Sequence, residues 1–241
     1  MNEPVAQYTK HEPVIELRPF VSPGSFAAPS FEVLAWSARS VVGVAPAILN
    51  FFDCSLPAIY RGTTRVSFSL DAGEVFDKSF PQDLLKEIEW HNIDPPRLWL
   101  EICESSVLNE TAWQRVIPEL ADCGFKVVVK RFIADYSGFD ILASPHIAGI
   151  KAAPPVVAAL PYSILPRRFL KGLQSLANAV NKQLIVDGVE TLGQALWLEA
   201  MGCEMLQGSF YGPAMDASKA RSFILEGRQC IAPIVFNPVT A

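Results

Sequence analysis

The sequence predicts an α/β domain of parallel βαβ units, closed into a barrel in preference to an open doubly wound sheet. Three observations carry that prediction. Short apolar, β-branched runs alternate in single file with stretches whose apolar residues recur every three or four positions, the pattern of strands and crossover helices. About eight such runs fit within 241 residues, enough strands to close a barrel. No Gly-x-Gly-x-x-Gly or Walker-type loop opens any helical stretch, so the phosphate cradle of nucleotide-binding open sheets is missing.

Residues 1–13 are polar, contain Pro4 and Pro13, and read as a loose arm. Val14–Val21 alternates as a first strand, and Pro23-Gly24 marks a turn. Phe31–Trp36 is a second strand with a single carboxylate, Glu32, among apolar neighbours. A helix is expected over Ala45–Tyr60, with Ile48, Leu49, Phe52 and Leu56 on one stripe. Arg65–Leu70 reads as a strand and Phe80–Trp90 as an amphipathic helix. Pro95-Pro96 breaks the pattern before the strand Leu98–Ile102.

A helix over Glu110–Cys123 stops at Gly124, and Phe125–Phe132 follows as a strand. Its centre, Val127, Val128 and Val129, is a β-branched run suited to burial on both faces, and it ends in two cations, Lys130 and Arg131. Ile147–Lys151 is a strand and Leu165–Asn181 a long helix. Leu184–Asp187 is a strand, Leu192–Met201 a helix stopped by Gly202, and Glu204–Leu206 a brief strand. Asp216–Glu226 is the last helix, and 227–241 a tail. With no internal repeat and no Ser/Gly linker, one domain is expected over 14–226.

Composition narrows the function classes. Half the residues are hydrophobic and 19% charged, which is ordinary for a globular chain. A formal charge of −5 offers no general attraction to nucleic acid or to an anionic membrane. No apolar run reaches the roughly 20 residues that span a bilayer. Met1-Asn2-Glu3-Pro4-Val5 lacks the basic region and apolar core of a signal peptide, so a cytoplasmic protein is expected. Cys54, Cys103, Cys123, Cys203 and Cys230 are odd in number and widely spaced, which argues against a disulfide framework or zinc site. His11, His91 and His146 show no metal-ligand spacing.

Polar residues embedded in or ending the apolar strands are Glu32, Ser69, Glu101, Lys130, Arg131, Lys151, Asp187 and Gln207. One such residue is most simply a strand-end charge reaching solvent. Eight at equivalent places are better explained by a shared polar cavity, because barrel strands deliver their ends to one mouth.

The wording of these segments resembles a known family. Leu100–Ser105 reads Leu-Glu-Ile-Cys-Glu-Ser, and Ile185–Thr191 reads Ile-Val-Asp-Gly-Val-Glu-Thr. Met201–Gly208 reads Met-Gly-Cys-Glu-Met-Leu-Gln-Gly, and Phe31-Glu32-Val33-Leu34 stands where a Glu-Ala-Leu motif would be. In this order, from about 14 to 226, they resemble the EAL-domain family of metal-dependent cyclic di-GMP phosphodiesterases, the later segments specifically and the first third loosely. The resemblance implies a modified TIM-like barrel with an antiparallel first strand. The segment from Glu32 to Ser69 is shorter than in family enzymes, which implies a barrel shortened on one flank.

The resemblance also implies a site, and this chain departs from it. Family enzymes hold two divalent cations with carboxylates and an asparagine, and the metals activate the attacking water. Glu32 and Glu101 stand at two ligand positions, and Lys151 and Gln207 match further site positions. Ser69 replaces the asparagine, and Asp187 replaces a catalytic glutamate. Lys130 and Arg131 replace the paired aspartates, and neither an ammonium nor a guanidinium can ligate Mg²⁺. Arg18 and Trp36 replace residues used around the nucleotide, and Ile133-Ala134-Asp135 replaces the loop tied to dimerisation. Tyr136-Ser137 and the loop's anchor, Glu190, are kept.

On these departures the chain is expected to be no enzyme and to need no metal or cofactor. The leading expectation is an inactive EAL-like regulator that binds a protein partner, through exposed pieces such as Pro161-Tyr162 or the tail's Ile234-Val235-Phe236. Its alternative is a metal-independent receptor for cyclic di-GMP or another anion, with Lys130, Arg131 and Lys151 holding phosphates. In either case the three cations are expected to offset the carboxylates of Glu32, Glu101 and Asp187. A homodimer stays open.

Overall fold

The computed structural model describes residues 15–23, 30–35, 41–71, 74, 77–109, 112–132, 142–160 and 162–227. The arm 1–13, Trp36, 133–141, Pro161 and Ile234-Val235-Phe236 lie outside the described residues.

Strands β1 (Glu16–Val21), β2 (Ser30–Ala35), β3 (Val66–Ser69), β4 (Leu98–Cys103), β5 (Lys126–Phe132), β6 (Ile147–Ala152), β7 (Gln183–Val186) and β8 (Met205–Gln207) close into a barrel in chain order. β1 runs antiparallel to both neighbours, pairing Arg18 with Glu32 of β2 and Phe20 with Gln207 of β8. Every other pairing is parallel. The mixed α/β barrel and its reversed first strand are as the sequence and its resemblance imply.

The period of two along each strand sorts side chains into two cores. On β4, Leu98, Leu100 and Ile102 face the helices, while Trp99 joins Phe20, Val128, Ile185 and Met205 in a plug inside the barrel. Glu101 is two residues beyond Trp99, so it points inward above that plug.

Helix α1 (Val41–Ser55) begins four residues before the expected Ala45 and ends before Pro57, which a single 3₁₀ turn at Ala58–Tyr60 follows. Pro46 deletes a donor in its second turn, yet burial of Val41, Val44 and Ala45 holds the first turn in place. Phe31 stacks on Phe52 with centroids 5.3 Å apart, fastening α1 to the barrel. Helix α2 spans Phe80–Trp90, as expected. The helix predicted over Glu110–Cys123 is α4 (Ala112–Asp122), and α3 (Glu104–Asn109), which directly continues β4, precedes it unpredicted.

Helix α5 (Pro154–Ala158) escaped the sequence reading because Pro154-Pro155 looks like a break. Proline is nevertheless well suited to a helix's first position, where its missing N–H would have no partner. Helices α6 (Ile164–Ala179), α7 (Leu192–Ala200) and α8 (Ala217–Leu225) are capped by Ser163, Thr191 and Asp216. Gln194 completes a reciprocal capping box with Thr191. None of the described helices is long and apolar enough to cross a membrane.

Candidate functional site

The inward positions nearest the carboxyl ends of the strands converge on Lys151. It is one of the most enclosed cations in the molecule, 4% exposed, because β6 holds it inside the barrel between β5 and β7. Its Nζ lies 3.0 Å from Glu32 Oε2 and 3.3 Å from Glu101 Oε2, and 5.0 Å from the centroid of the Phe20 ring below. Glu101, 0% exposed, also accepts from Ser67 Oγ at 2.8 Å. Glu32 accepts from Gln207 Nε2 at 3.0 Å. Beside this group the Lys130 ammonium donates to Ser69 Oγ. Asp187, one residue past β7, accepts from the Gly188 backbone N–H, and Gly188 turns the chain away at φ +92°. A cleft of about 440 Å³ opens above, lined by Glu32, Lys130, Arg131, Lys151 and Asp187 with Pro154 and Pro155 on one wall.

Burial and charge act against each other here. Burial alone would raise Glu32, but attraction and hydrogen bonding to Lys151 hold its carboxyl below the usual range. Burial raises Glu101, and Lys151 only partly offsets it. Burial likewise raises Asp187 despite the nearby cations. For Lys151, the carboxylates of Glu101 and Glu32 outweigh its burial and raise its pKa, so the site is built around an ammonium at neutral pH.

Seven of the nine residues singled out from sequence sit together at this mouth: Glu32, Ser69, Glu101, Lys130, Lys151, Asp187 and Gln207. Two differ. Arg131 lines the cleft's rim with an exposed side chain, and among the described residues it forms no ion pair, so it does not share in the charge compensation expected of it. The cause is a bulge: Lys130 pairs with Lys151 and Phe132 with Ala152, leaving Arg131 unpaired at φ +57°. Strict alternation would send Arg131 into the core beneath the helices with Val127 and Val129. The bulge shifts the phase by one, so Phe132 fills that core and the guanidinium reaches solvent.

Glu190 is the other. Its side chain is exposed and outside the cleft, while its backbone N–H bonds to Gln194 Oε1 at the head of α7. The loop it was expected to anchor lies outside the described residues. Ser67 and Phe20, which the sequence reading passed over, touch the ion-paired group directly. Ser67 could have been found, since it shares the inward phase of Ser69 on β3; Phe20 looks like any strand aromatic.

The donors present do not suit a pair of divalent cations. Lys151 occupies the space between Glu32 and Glu101, and Lys130 engages the hydroxyl at Ser69. Among the described residues no three Asp, Glu, His or Cys side chains are placed to hold a metal ion.

The pattern of the EAL domain matches residues 52–214. Among curated proteins, this chain is 26% identical over 130 residues to the bifunctional diguanylate cyclase/cyclic di-GMP phosphodiesterase MucR of Pseudomonas aeruginosa, covering 54% of this chain and 19% of MucR. It is 25% identical over 132 residues to the blue light- and temperature-regulated antirepressor BluF of Escherichia coli, covering 54% of this chain and 33% of BluF. The chain thus spans about a fifth to a third of the length of the curated relatives it matches. Among solved structures, the EAL domain of Mycobacterium smegmatis DcpA superposes with a TM-score of 0.78 over 91% of this chain and 99% of that one. At 20% identity that likeness speaks to the fold alone.

Proposed function

Because the chain belongs to the EAL domain family, we propose that it is a non-hydrolysing member, a cytoplasmic module that regulates by binding another protein. One observation carries the reading: the Lys151 ammonium lies 3.0 and 3.3 Å from the carboxylates of Glu32 and Glu101. An ammonium so placed puts one positive charge between the carboxylates where a divalent cation would put two, and it cannot acidify a water by coordination. Lys130 on Ser69 removes a second oxygen from any metal's reach. This arrangement therefore supplies no metal-activated nucleophile for hydrolysis. The protein-binding half draws support from the relative named an antirepressor and from the exposed Tyr162.

Incubation of the full chain with cyclic di-GMP and Mg²⁺ or Mn²⁺, followed by chromatography, tests the first half. No linear product is expected, and metal-dependent turnover would overturn the reading. Cross-linking in cells of the encoding organism, followed by mass spectrometry, tests the second half. One protein should be joined stoichiometrically to this chain, and recovery of the chain alone, or of a self-adduct alone, counts against it.

A second reading, a receptor that holds cyclic di-GMP or another anion without cutting it, is favoured by Lys130 and Arg131 together on the cleft's lining. Calorimetry in the absence of metal separates the two. Saturable cyclic di-GMP binding that weakens in Lys130→Ala would put the receptor first.

A further inference from the structure

We propose that the floor of the barrel, opposite the mouth, is a binding site for an oxyanion. This inference is independent of how the mouth is read. A concavity of about 920 Å³ lies here, against about 440 Å³ for the cleft at the mouth. It lies at the starting ends of the strands, where Arg65 precedes β3, Lys126 opens β5 and Gln183 opens β7. A second concavity of about 440 Å³ adjoins it, sharing Arg65, Gln183 and Glu204.

Its charge is the reverse of the chain's. The molecule as a whole carries −5, yet Arg65, Lys126 and Lys182 line the larger concavity against one carboxylate, Glu204. Among the described residues neither Arg65 nor Lys126 forms an ion pair. Lys182 is held by the carbonyls of Ser144 and Ile147, which fixes the rim beside His146. The Arg65 guanidinium lies over the Trp99 ring, 5.8 Å from its centroid, so one cation is already oriented before any ligand arrives. Trp99 is 5% exposed, forms part of the same wall, and its indole N–H has no acceptor among the described residues. A forked guanidinium and a mobile ammonium make a donor set for phosphate or carboxylate oxygens and offer little to a cation. Free phosphate and the side chains of an acidic peptide share that chemistry.

Titration calorimetry of the full chain at low salt, with inorganic pyrophosphate in one arm and hexaglutamate in the other, tests the site and separates its sources. Saturable binding of at least one probe is expected. Arg65→Ala and Lys126→Ala should each weaken it about tenfold or more, the usual effect of losing a charge-assisted hydrogen bond. Both side chains are exposed, so both variants should fold, with an unchanged melting curve as the check. Lys86→Ala, a surface lysine elsewhere, should bind as the parent does. Pyrophosphate alone would mark a small-anion site, and hexaglutamate alone a docking point for an acidic segment. The proposal fails if neither probe saturates, if both floor variants bind normally, or if binding is lost in Lys130→Ala instead.

Discussion

Lys151 is the residue on which the mouth depends, and its removal leaves two enclosed carboxylates facing each other. Lys151→Met should lower stability by about 3–5 kcal/mol, the usual result of breaking a buried ion pair. Urea unfolding at pH 7 measures it, and Lys151→Met combined with Glu101→Gln should recover part of the loss. A loss below about 1 kcal/mol would mean that the pair is a minor support. The pH dependence follows from the same geometry. Lys151 has a folded pKa above its ordinary 10.5, so its contribution is complete below that value and fades as pH rises through the folded one. The parent should lose stability in that alkaline range more steeply than Lys151→Met does. Asp187 is raised above its ordinary 3.8 by burial, so its ionisation works against folding at neutral pH. Asp187→Asn should therefore stabilise the chain at pH 7, and the gain should vanish below pH 3.8, where both states hold the proton.

At the scale of elements, β5 and β8 set the shape of the site through backbone geometry. A left-handed arginine on β5 is strained relative to glycine by about 1–2 kcal/mol, partly offset by the greater freedom glycine adds to the unfolded chain. Arg131→Gly should thus be neutral or stabilising by up to about 1 kcal/mol, whereas Arg131→Val should destabilise. Thermal melts of the two variants distinguish a true bulge from a regular strand end, in which valine would be the better tolerated. On β8, Gly208 follows Gln207 at φ +154°, and a Cβ there would run into the backbone of Val189. Val189 in turn donates to Gln207 O and accepts from Phe210 N, so this crossing holds the amide that reaches Glu32. Gly208→Ala should cost about 3 kcal/mol or more, read as loss of soluble protein or a lowered melting point.

For the molecule as a whole, we propose residues 14–226 as the folding unit. A chain cut to 14–226 should melt within about 3 °C of the parent, a shift of roughly 1 kcal/mol for a domain this size. A larger fall would mean that the flanking segments pack on the barrel. The number and order of strands were legible because each is a local run of apolar residues, and local patterns survive in one dimension. The polar positions were legible for a related reason: in a parallel barrel, strand ends at like positions must meet at one mouth. Element ends were read less well where burial overrode a local signal, as at Pro46, and helix α5 was missed because a proline at a helix's first position reads as a break.

By itself the sequence determined the α/β alternation and the set of side chains available to the mouth, Lys130, Arg131 and Ser69 among them. Only the tertiary structure decided which cation meets which carboxylate. A strand's phase depends on bulges, and the bulge at Arg131 is favoured by the helix-packed core's intolerance of a guanidinium, a property of neighbours distant in sequence. The same holds for the floor. Arg65 just before β3, Trp99 on β4 and Lys126 on β5 belong to three separate segments, and nothing in their local sequence marks them as neighbours until the barrel closes.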